Sequence, residues 1–185
     1  MARRVCPLWV GYFLLNPLRK LFENPNKILG PLVRPGMTVL EPGCAMGFFT
    51  LPLAHMVGPH GQVVAVDLQP KMLSVLRRRA EKAALLDRID LRLAESGTLG
   101  LKDLAGKVDL VVALHMMHEV PAQTTFFSEV RETLKLEGKL LIVEPRGHVS
   151  RQQFEETVVV AEKAGFRVEA SSGRVRGRSA LLARM

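Results

Sequence analysis

Residues 38–49 read Thr38-Val39-Leu40-Glu41-Pro42-Gly43-Cys44-Ala45-Met46-Gly47-Phe48-Phe49. An apolar, β-branched run ends in an acid, turns on glycine and continues into an apolar helical pattern, which predicts a strand, a tight loop and the start of a helix. Gly43 can adopt backbone angles closed to other residues, and the new helix presents unpaired N–H groups at its positive end. Because Glu41 adds a negative charge there, the segment predicts a cradle for a ligand that carries hydroxyls or an ammonium group.

The spacing of the glycines distinguishes between two kinds of cradle. A dinucleotide-binding loop has the pattern G-x-G-x-x-G, with the diphosphate at the helix N-terminus. In the same register this chain has Gly43, Ala45 and Phe48. The second and third glycines are missing, and the Glu41 carboxylate does not suit a diphosphate, so the sequence argues against a dinucleotide.

Segments with strand and helix patterns alternate along the rest of the chain. Predicted strands lie at residues 63–67, 91–94, 108–113 and 139–143, and predicted helices lie near residues 48–56, 71–85, 123–136 and 151–164. Because the strands are mostly continuous apolar runs, this order predicts an α/β fold with a mostly parallel sheet that is covered by helices on both faces. Two last strands, at 166–170 and 179–183, flank a basic turn at 173–177 and predict a C-terminal antiparallel hairpin.

Length and composition predict one domain without long disordered tracts. The chain has 185 residues, of which 48% are hydrophobic, enough to bury a sizeable core. We expect an N-terminal helical cap over residues 1–33 and a core over residues 34–185. The only two cysteines, Cys6 and Cys44, form no disulfide framework, and no Cys/His spacing matches a zinc site. A reducing, cytoplasmic setting fits this composition best.

The chain is basic, with a formal net charge of +8. Such a surface could attract a nucleic acid such as RNA, an anionic membrane or an acidic small molecule, although most basic proteins of this size are simply soluble, and that interpretation comes first. The run Arg77-Arg78-Arg79 falls in a helical pattern whose apolar positions face inward, and it is interpreted as a solvated face.

An apolar segment at residues 5–18 lies between two basic pairs. It is too short, and too interrupted by Pro7 and Pro17, to be a transmembrane helix. We expect it to form an amphipathic cap over the mouth of the active site, with a peripheral membrane contact as the alternative.

Four features resemble the class I S-adenosylmethionine (SAM) dependent methyltransferases. They are the Glu41–Gly47 loop, Asp67 at the end of the second strand, the fourth strand and the C-terminal hairpin. The first motif of that family is acid-x-Gly-x-Gly-x-Gly, so Ala45 departs from the usual middle glycine. From about residue 25 to the end, the resemblance implies a Rossmann-like, doubly wound, seven-stranded sheet, with SAM as methyl donor and S-adenosylhomocysteine as product.

The resemblance also implies contacts for the methionine and ribose parts of SAM. Gly43, Ala45 and Gly47 would let the backbone approach the methionine part, and Glu41 would reach its ammonium group directly or through water. Asp67 would accept both ribose hydroxyls, because a carboxylate has the two oxygens that a vicinal diol needs. An alternative for Asp67 is a capping role ahead of the following helix.

Further contacts are implied for the adenine and the transferring methyl group. Leu68 would lie against the adenine ring, Glu95 would take the adenine amino group, and Ser96 would offer a backbone N–H. Leu114 and His115, at the end of strand four, would sit beside the methyl group. Glu95 could instead be only a solvated loop acid.

Methyl transfer from a sulfonium depends on alignment in a dry pocket and in principle needs no metal. A base is needed only where the acceptor must lose a proton. His118, His115 and Glu119 follow strand four, where ligands of open α/β sheets collect, and they are the catalytic candidates. His118 could be a base assisted by the carboxylate of Glu119, or it could brace the loop.

The acceptor is predicted to be a small molecule. Arg146, after strand five, is a candidate anchor for an acidic acceptor, with a surface pair to Glu144 as the alternative. Arsenic-type methylation uses several cysteines, and only Cys6 is spare, which argues against that class. An RNA methyltransferase and a non-catalytic SAM-binding protein are the competing hypotheses, and the sequence does not predict the oligomeric state.

Overall fold

The structure of the protein is a computed structural model. It describes residues 11, 15, 19, 23–95, 97–145, 147–171 and 178–185. Most of the predicted N-terminal cap, together with Ser96, Arg146 and the basic turn at 173–177, therefore lies outside the described residues.

Twelve helices and strands make up the described part of the chain. In order they are α1 (Pro25–Leu29), β1 (Thr38–Pro42), α2 (Thr50–Val57), β2 (Gln62–Asp67), α3 (Pro70–Lys82), β3 (Ile89–Leu93), β4 (Val108–Leu114), α4 (Gln123–Thr133), β5 (Leu134–Glu144), α5 (Arg151–Lys163), β6 (Phe166–Ser171) and β7 (Arg178–Arg184). Short 3₁₀ turns span Leu86–Arg88, Lys102–Leu104 and Met117–Glu119. None of the helices in the described residues has the length and apolar character needed to cross a membrane.

The strands form a seven-stranded sheet in the order β3-β2-β1-β4-β5-β7-β6. The pairs β1–β2, β2–β3 and β4–β5 are parallel, whereas β7 is antiparallel to both β5 and β6. This confirms the predicted α/β class, the mostly parallel sheet and the C-terminal antiparallel hairpin.

The chain divides into two compact units, an N-terminal unit of residues 5–94 and a C-terminal unit that contains residues 95–185. In the N-terminal unit, β1 and β2 are buried apolar strands that end in Glu41-Pro42 and Asp67. Helix α3 has Met72, Leu73 and Leu76 on its buried face. The apolar runs thus carry both acids to the carboxyl ends of their strands.

In the C-terminal unit, β4 and β5 are paired in register from Leu110 opposite Lys139 to Leu114 opposite Val143. Helix α5 begins with a capping box in which Ser150 accepts the Gln153 N–H and the Gln153 side chain accepts the Ser150 N–H. Both β4 and β5 end beside the turn at Met117–Glu119, which carries two of the catalytic candidates.

The predicted boundary between α4 and β5 was wrong. The helix expected to reach residue 136 ends at Thr133, and β5 begins at Leu134. Leu134 is fully buried and lies opposite Val108 of β4. Pairing with a neighbouring strand and burial outweigh the local helical preference there, because intrinsic propensity is a weak determinant.

Candidate active site

The loop after β1 alternates left-handed residues with ordinary ones. Gly43, Ala45 and Gly47 have φ angles of 70°, 47° and 82°. A left-handed conformation costs about 1 kcal/mol or more at a residue with a Cβ, so Ala45 carries strain that a glycine would not. Within the loop Gly43 is exposed and Ala45 is half-buried, so these two residues are the ones a ligand can approach.

The carboxylate of Asp67 anchors this loop. Its Oδ2 accepts the Ala45 N–H at 2.9 Å, and its Oδ1 accepts the Gln69 N–H at 2.8 Å. Burial raises the pKa of Asp67, while the hydrogen bonds from the Gln69 and Ala45 N–H groups oppose that rise. A carboxylate has about four acceptor positions, so Asp67 can hold the loop and still accept the hydroxyls of a ribose. The capping alternative for Asp67 was wrong, because the N-cap residue of α3 is Gln69. The Gln69 bond forms the turn that precedes α3.

Glu41 is buried beneath the same loop, with 3% of its surface exposed. Its Oε2 accepts the Thr50 hydroxyl at 2.6 Å, at the first residue of α2. Burial raises the pKa of Glu41 from 4.5 to about 8, the Thr50 hydrogen bond opposes that rise, and the charge of Asp67 adds to it. A cation that enters the loop would therefore favour the ionised form of Glu41.

We expect Glu41→Gln to raise the free energy of unfolding, and to raise it more at pH 8 than at pH 5. The folded chain holds a proton on Glu41 that the unfolded chain releases above pH 4.5, so the stability of the wild type falls as pH rises from about 4.5 towards 8. Glutamine keeps the hydrogen bond with Thr50 without the charge. Urea unfolding should show a gain of about 4 kcal/mol at pH 8 and of about 1 kcal/mol at pH 5, and an equal gain at both pH values would contradict the assignment.

Gly47 packs against α3 where a side chain would not fit. A Cβ built on Gly47 would overlap the Cδ1 atom of the fully buried Leu76. We expect Gly47→Ala to lower the free energy of unfolding by about 2 kcal/mol, from backbone strain and from this overlap. Thermal unfolding measures the effect.

The matched control for Gly47→Ala is Gly36→Ala. Gly36 has a φ of 85°, and nothing lies within 4 Å of a Cβ built on it. Gly36→Ala therefore measures the cost of backbone strain alone. Equal losses of unfolding free energy in the two variants would show that the overlap with Leu76 does not contribute to the effect of Gly47→Ala.

Two contacts in the N-terminal unit were not predicted. The Arg79 guanidinium donates to the Met46 carbonyl of the loop, and burial lowers the pKa of Arg79. The solvated-face interpretation is thus wrong for Arg79, although Arg77 and Arg78 are exposed. A signal was available, because Arg79 lies three residues after the buried Leu76. The second contact is the Thr50 hydroxyl on Glu41, for which no sequence signal was evident.

The adenine candidates follow β2 and β3. Leu68 is 47% exposed, an unusual setting for a leucine directly after a buried strand. In the C-terminal unit, Glu95 is exposed, and its carbonyl accepts the Thr98 N–H at 3.3 Å. Leu68 presents apolar surface that a ring could cover, and the exposed Glu95 carboxylate is accessible to a ligand amino group.

Leu114 and His115 close β4. Leu114 is buried, and the His115 N–H donates to the Val143 carbonyl at 2.7 Å. His115 has a φ of 58°, a left-handed conformation in which histidine is over-represented among non-glycine residues. Strained residues of this kind cluster at functional sites, and the role of His115 stays a prediction.

The carboxylate nearest to His118 belongs to Glu144. His118 Nδ1 lies 2.6 Å from Glu144 Oε2, whereas His118 Nε2 lies 3.9 Å from Glu119 Oε1. Glu144 is 1% exposed, which excludes the surface pair considered for it. The sequence carried a signal for Glu144, since β1 and β5 each carry a Glu near the carboxyl end that is followed directly by a Pro.

The His118 ring also has a second histidine beside it. The ring centroids of His118 and His148 are 6.0 Å apart. The turn that carries His118 is braced by the Gln123 side-chain amide, which donates to the Met117 carbonyl at 3.0 Å. The C-terminal unit thus brings His118, Glu119, Glu144 and His148 together.

Cys44 occupies a buried position in the loop, and burial raises the pKa of its thiol. A thiol of this kind is mostly protonated and is a poor nucleophile, in keeping with its interpretation as a small loop residue. In the described parts of the chain, no group of three or more His, Cys, Asp or Glu side chains is placed to hold a metal ion.

Comparison with known protein families gives one match over most of the chain. Residues 34–172 match a family described as a methyltransferase domain. The match begins before β1 and ends after β6, so it spans the loop at Gly43–Gly47, Asp67 and the cluster around His118.

Similar curated sequences include several methyltransferases. A demethylmenaquinone methyltransferase of Symbiobacterium thermophilum is 33% identical over 64% of this chain and 46% of its own length. An arsenite methyltransferase of Halobacterium salinarum is 32% identical over 58% of this chain and 27% of its own length. The chain thus spans less than half the length of these relatives.

Similar solved structures include a SAM dependent methyltransferase from Aquifex aeolicus. It superimposes with a TM-score of 0.88 at 22% identity, and the alignment covers 98% of this chain and 100% of the other. This likeness concerns the fold.

Proposed function

The chain belongs to the class I SAM-dependent methyltransferases, whose cofactor is SAM, and from that premise we propose that it transfers a methyl group from SAM to a small-molecule acceptor. The observation that carries the proposal is the double hydrogen bonding of Asp67. Its carboxylate holds the loop through the Ala45 N–H and forms the turn through the Gln69 N–H. The group assigned to the ribose is thereby fixed relative to the loop assigned to the methionine part.

We assign the remaining cofactor contacts residue by residue. Gly43, Ala45 and Gly47 form the left-handed loop over the methionine part, and Glu41 below it receives the ammonium group. The position of Glu41 beneath the loop supports this role, and a bound ammonium group would lower the raised pKa of Glu41 by favouring the ionised carboxylate.

We assign the adenine ring to Leu68, Glu95 and Ser96. The 47% exposure of Leu68 supports its part in this assignment, because covering exposed apolar surface favours binding. Leu114 and His115 are assigned to the side of the transferring methyl group.

Two observations support a small-molecule acceptor. Among the similar sequences are methyltransferases named for demethylmenaquinone and for arsenite. The chain has only two cysteines, and Cys44 is buried in the loop, so we favour an organic acceptor over arsenite.

The bound SAM supplies the methyl group. The chain's own residues bind SAM and the acceptor, orient them and exclude water. His118, which is partly exposed, accepts a proton where the acceptor must lose one. We propose that no metal ion takes part, because displacement at a sulfonium carbon depends on alignment. We also propose a cytoplasmic location.

The test begins with calorimetry of the purified protein with SAM and S-adenosylhomocysteine. Methyl-labelled SAM is then incubated with the protein and cell extract, with and without a chelator and with and without ribonuclease. Label in a small molecule, unaffected by either treatment, is the expected result. No binding at millimolar SAM would overturn the proposal, label lost with ribonuclease would point to RNA, and binding without transfer would indicate a non-catalytic protein.

A further inference from the structure

The buried carboxylate of Glu144, at the end of β5, has two hydrogen-bond partners on one turn. Its Oε1 accepts the Met117 N–H at 2.7 Å, and its Oε2 lies 2.6 Å from His118 Nδ1. A carboxylate that is 1% exposed needs such partners, because burying a charge without compensation is costly. Arg178 occupies the position opposite Glu144 in the antiparallel register.

Which nitrogen of His118 holds the proton depends on the charge of the Glu144 carboxylate beside Nδ1. An ionised carboxylate only accepts hydrogen bonds, so Nδ1 must be the donor. The neutral imidazole then has its lone pair on Nε2, and any imidazolium that forms is stabilised by the carboxylate behind it. The ring is partly exposed, with 27% of the His118 side chain accessible.

We propose that Glu144 is a positioning residue that holds His118 with Nε2 as the proton acceptor, and that the methyl acceptor is therefore a small molecule whose nucleophilic atom carries a proton, such as a hydroxyl. The inference rests on the proposed function. The acceptor oxygen forms a bond to the methyl carbon, the carbon–sulfur bond breaks with its electron pair on sulfur, and the hydroxyl proton goes to His118 Nε2. Glu144 neither gains nor loses a proton in this step.

A simpler role for Glu144 is to brace the turn through the Met117 N–H. Glu144→Gln distinguishes the two roles, because glutamine can still accept the Met117 N–H with its carbonyl oxygen. Its amide NH₂ would then face His118 Nδ1 and donate to it. The proton of the neutral ring would move to Nε2, while the hydrogen bond from the Met117 N–H would remain.

The experiment is nitrogen NMR of protein labelled with ¹⁵N-histidine, at a pH where the imidazole is neutral and with His118→Gln to assign the signals. We expect the wild type to carry its proton on Nδ1 and Glu144→Gln to carry it on Nε2. The matched control is Glu119→Gln, which should keep the wild-type tautomer, since Glu119 lies 3.9 Å from Nε2. A wild type protonated on Nε2, or an unchanged tautomer in Glu144→Gln, would overturn the positioning role.

The same variants are then assayed with the acceptor found by labelling. We expect Glu144→Gln to lower kcat by about 100-fold and to leave SAM affinity within about twofold of the wild-type value. An acceptor methylated on an atom without a proton, such as a thioether sulfur, would overturn the acceptor class. The NMR measurement needs neither SAM nor acceptor, so failure of the proposed methyl transfer and failure of the positioning role are distinguishable.

Discussion

Replacing Asp67 by alanine is expected to weaken SAM binding by about 100-fold or more. Each hydrogen bond to a charged group contributes about 1.5–3 kcal/mol, and the variant loses two hydrogen bonds to the ribose hydroxyls. It also loses the bond from the Ala45 N–H that holds the loop. Calorimetry with SAM and S-adenosylhomocysteine measures the loss.

Two controls distinguish loss of the ribose contact from loss of the hydrogen bond that holds the loop. Asp67→Asn keeps one acceptor oxygen, so its effect should be smaller than that of Asp67→Ala. An S-adenosylhomocysteine analogue without the 2′-hydroxyl should lose less affinity in Asp67→Ala than the parent ligand does, because part of the interaction is already absent. Equal losses for the two ligands would remove the assignment of the ribose to Asp67.

Replacing His118 by alanine is expected to lower kcat by about 10²- to 10⁴-fold for an acceptor that must lose a proton, the usual contribution of a general base. SAM affinity should change little, because His118 is not assigned to the cofactor. The decline of the wild-type rate towards acid pH, where the imidazole is protonated, should be weaker in the variant. Steady-state assays across pH measure both effects.

The control for His118→Ala is His60→Ala. His60 is exposed in the turn before β2 and is not assigned to the site, so its loss should leave turnover at the wild-type level. A His118→Ala enzyme with the wild-type rate across pH would assign His118 to bracing of the loop.

Much of the fold could be predicted because its signals are local. Continuous apolar runs identified β1, β2 and β4, and the glycines of residues 43–47 marked the loop. The boundary between α4 and β5 was the exception. At Leu134 the deciding interaction is pairing with Val108, which is distant in the sequence.

The residues of the candidate site could likewise be predicted only where their signals are local. Glu41 and Asp67 could be selected because each ends a buried strand, and the same reasoning placed His115 and His118 after β4. The partner of His118 was assigned to Glu119, its sequence neighbour, whereas the nearest carboxylate is that of Glu144, which is 26 residues away. A hydrogen bond of this kind leaves no periodicity in the sequence.

The sequence by itself determined the order of strands and helices, the left-handed loop and the acids at the strand ends, because these depend on hydrophobic periodicity and on the backbone freedom of glycine. Only the tertiary structure decided which polar groups meet. The burial of Glu41 against Thr50, the bond from Arg79 to the Met46 carbonyl and the pairing of His118 with Glu144 all join residues from different elements. These contacts depend on the three-dimensional packing of the elements, since burial obliges each polar group to find a partner.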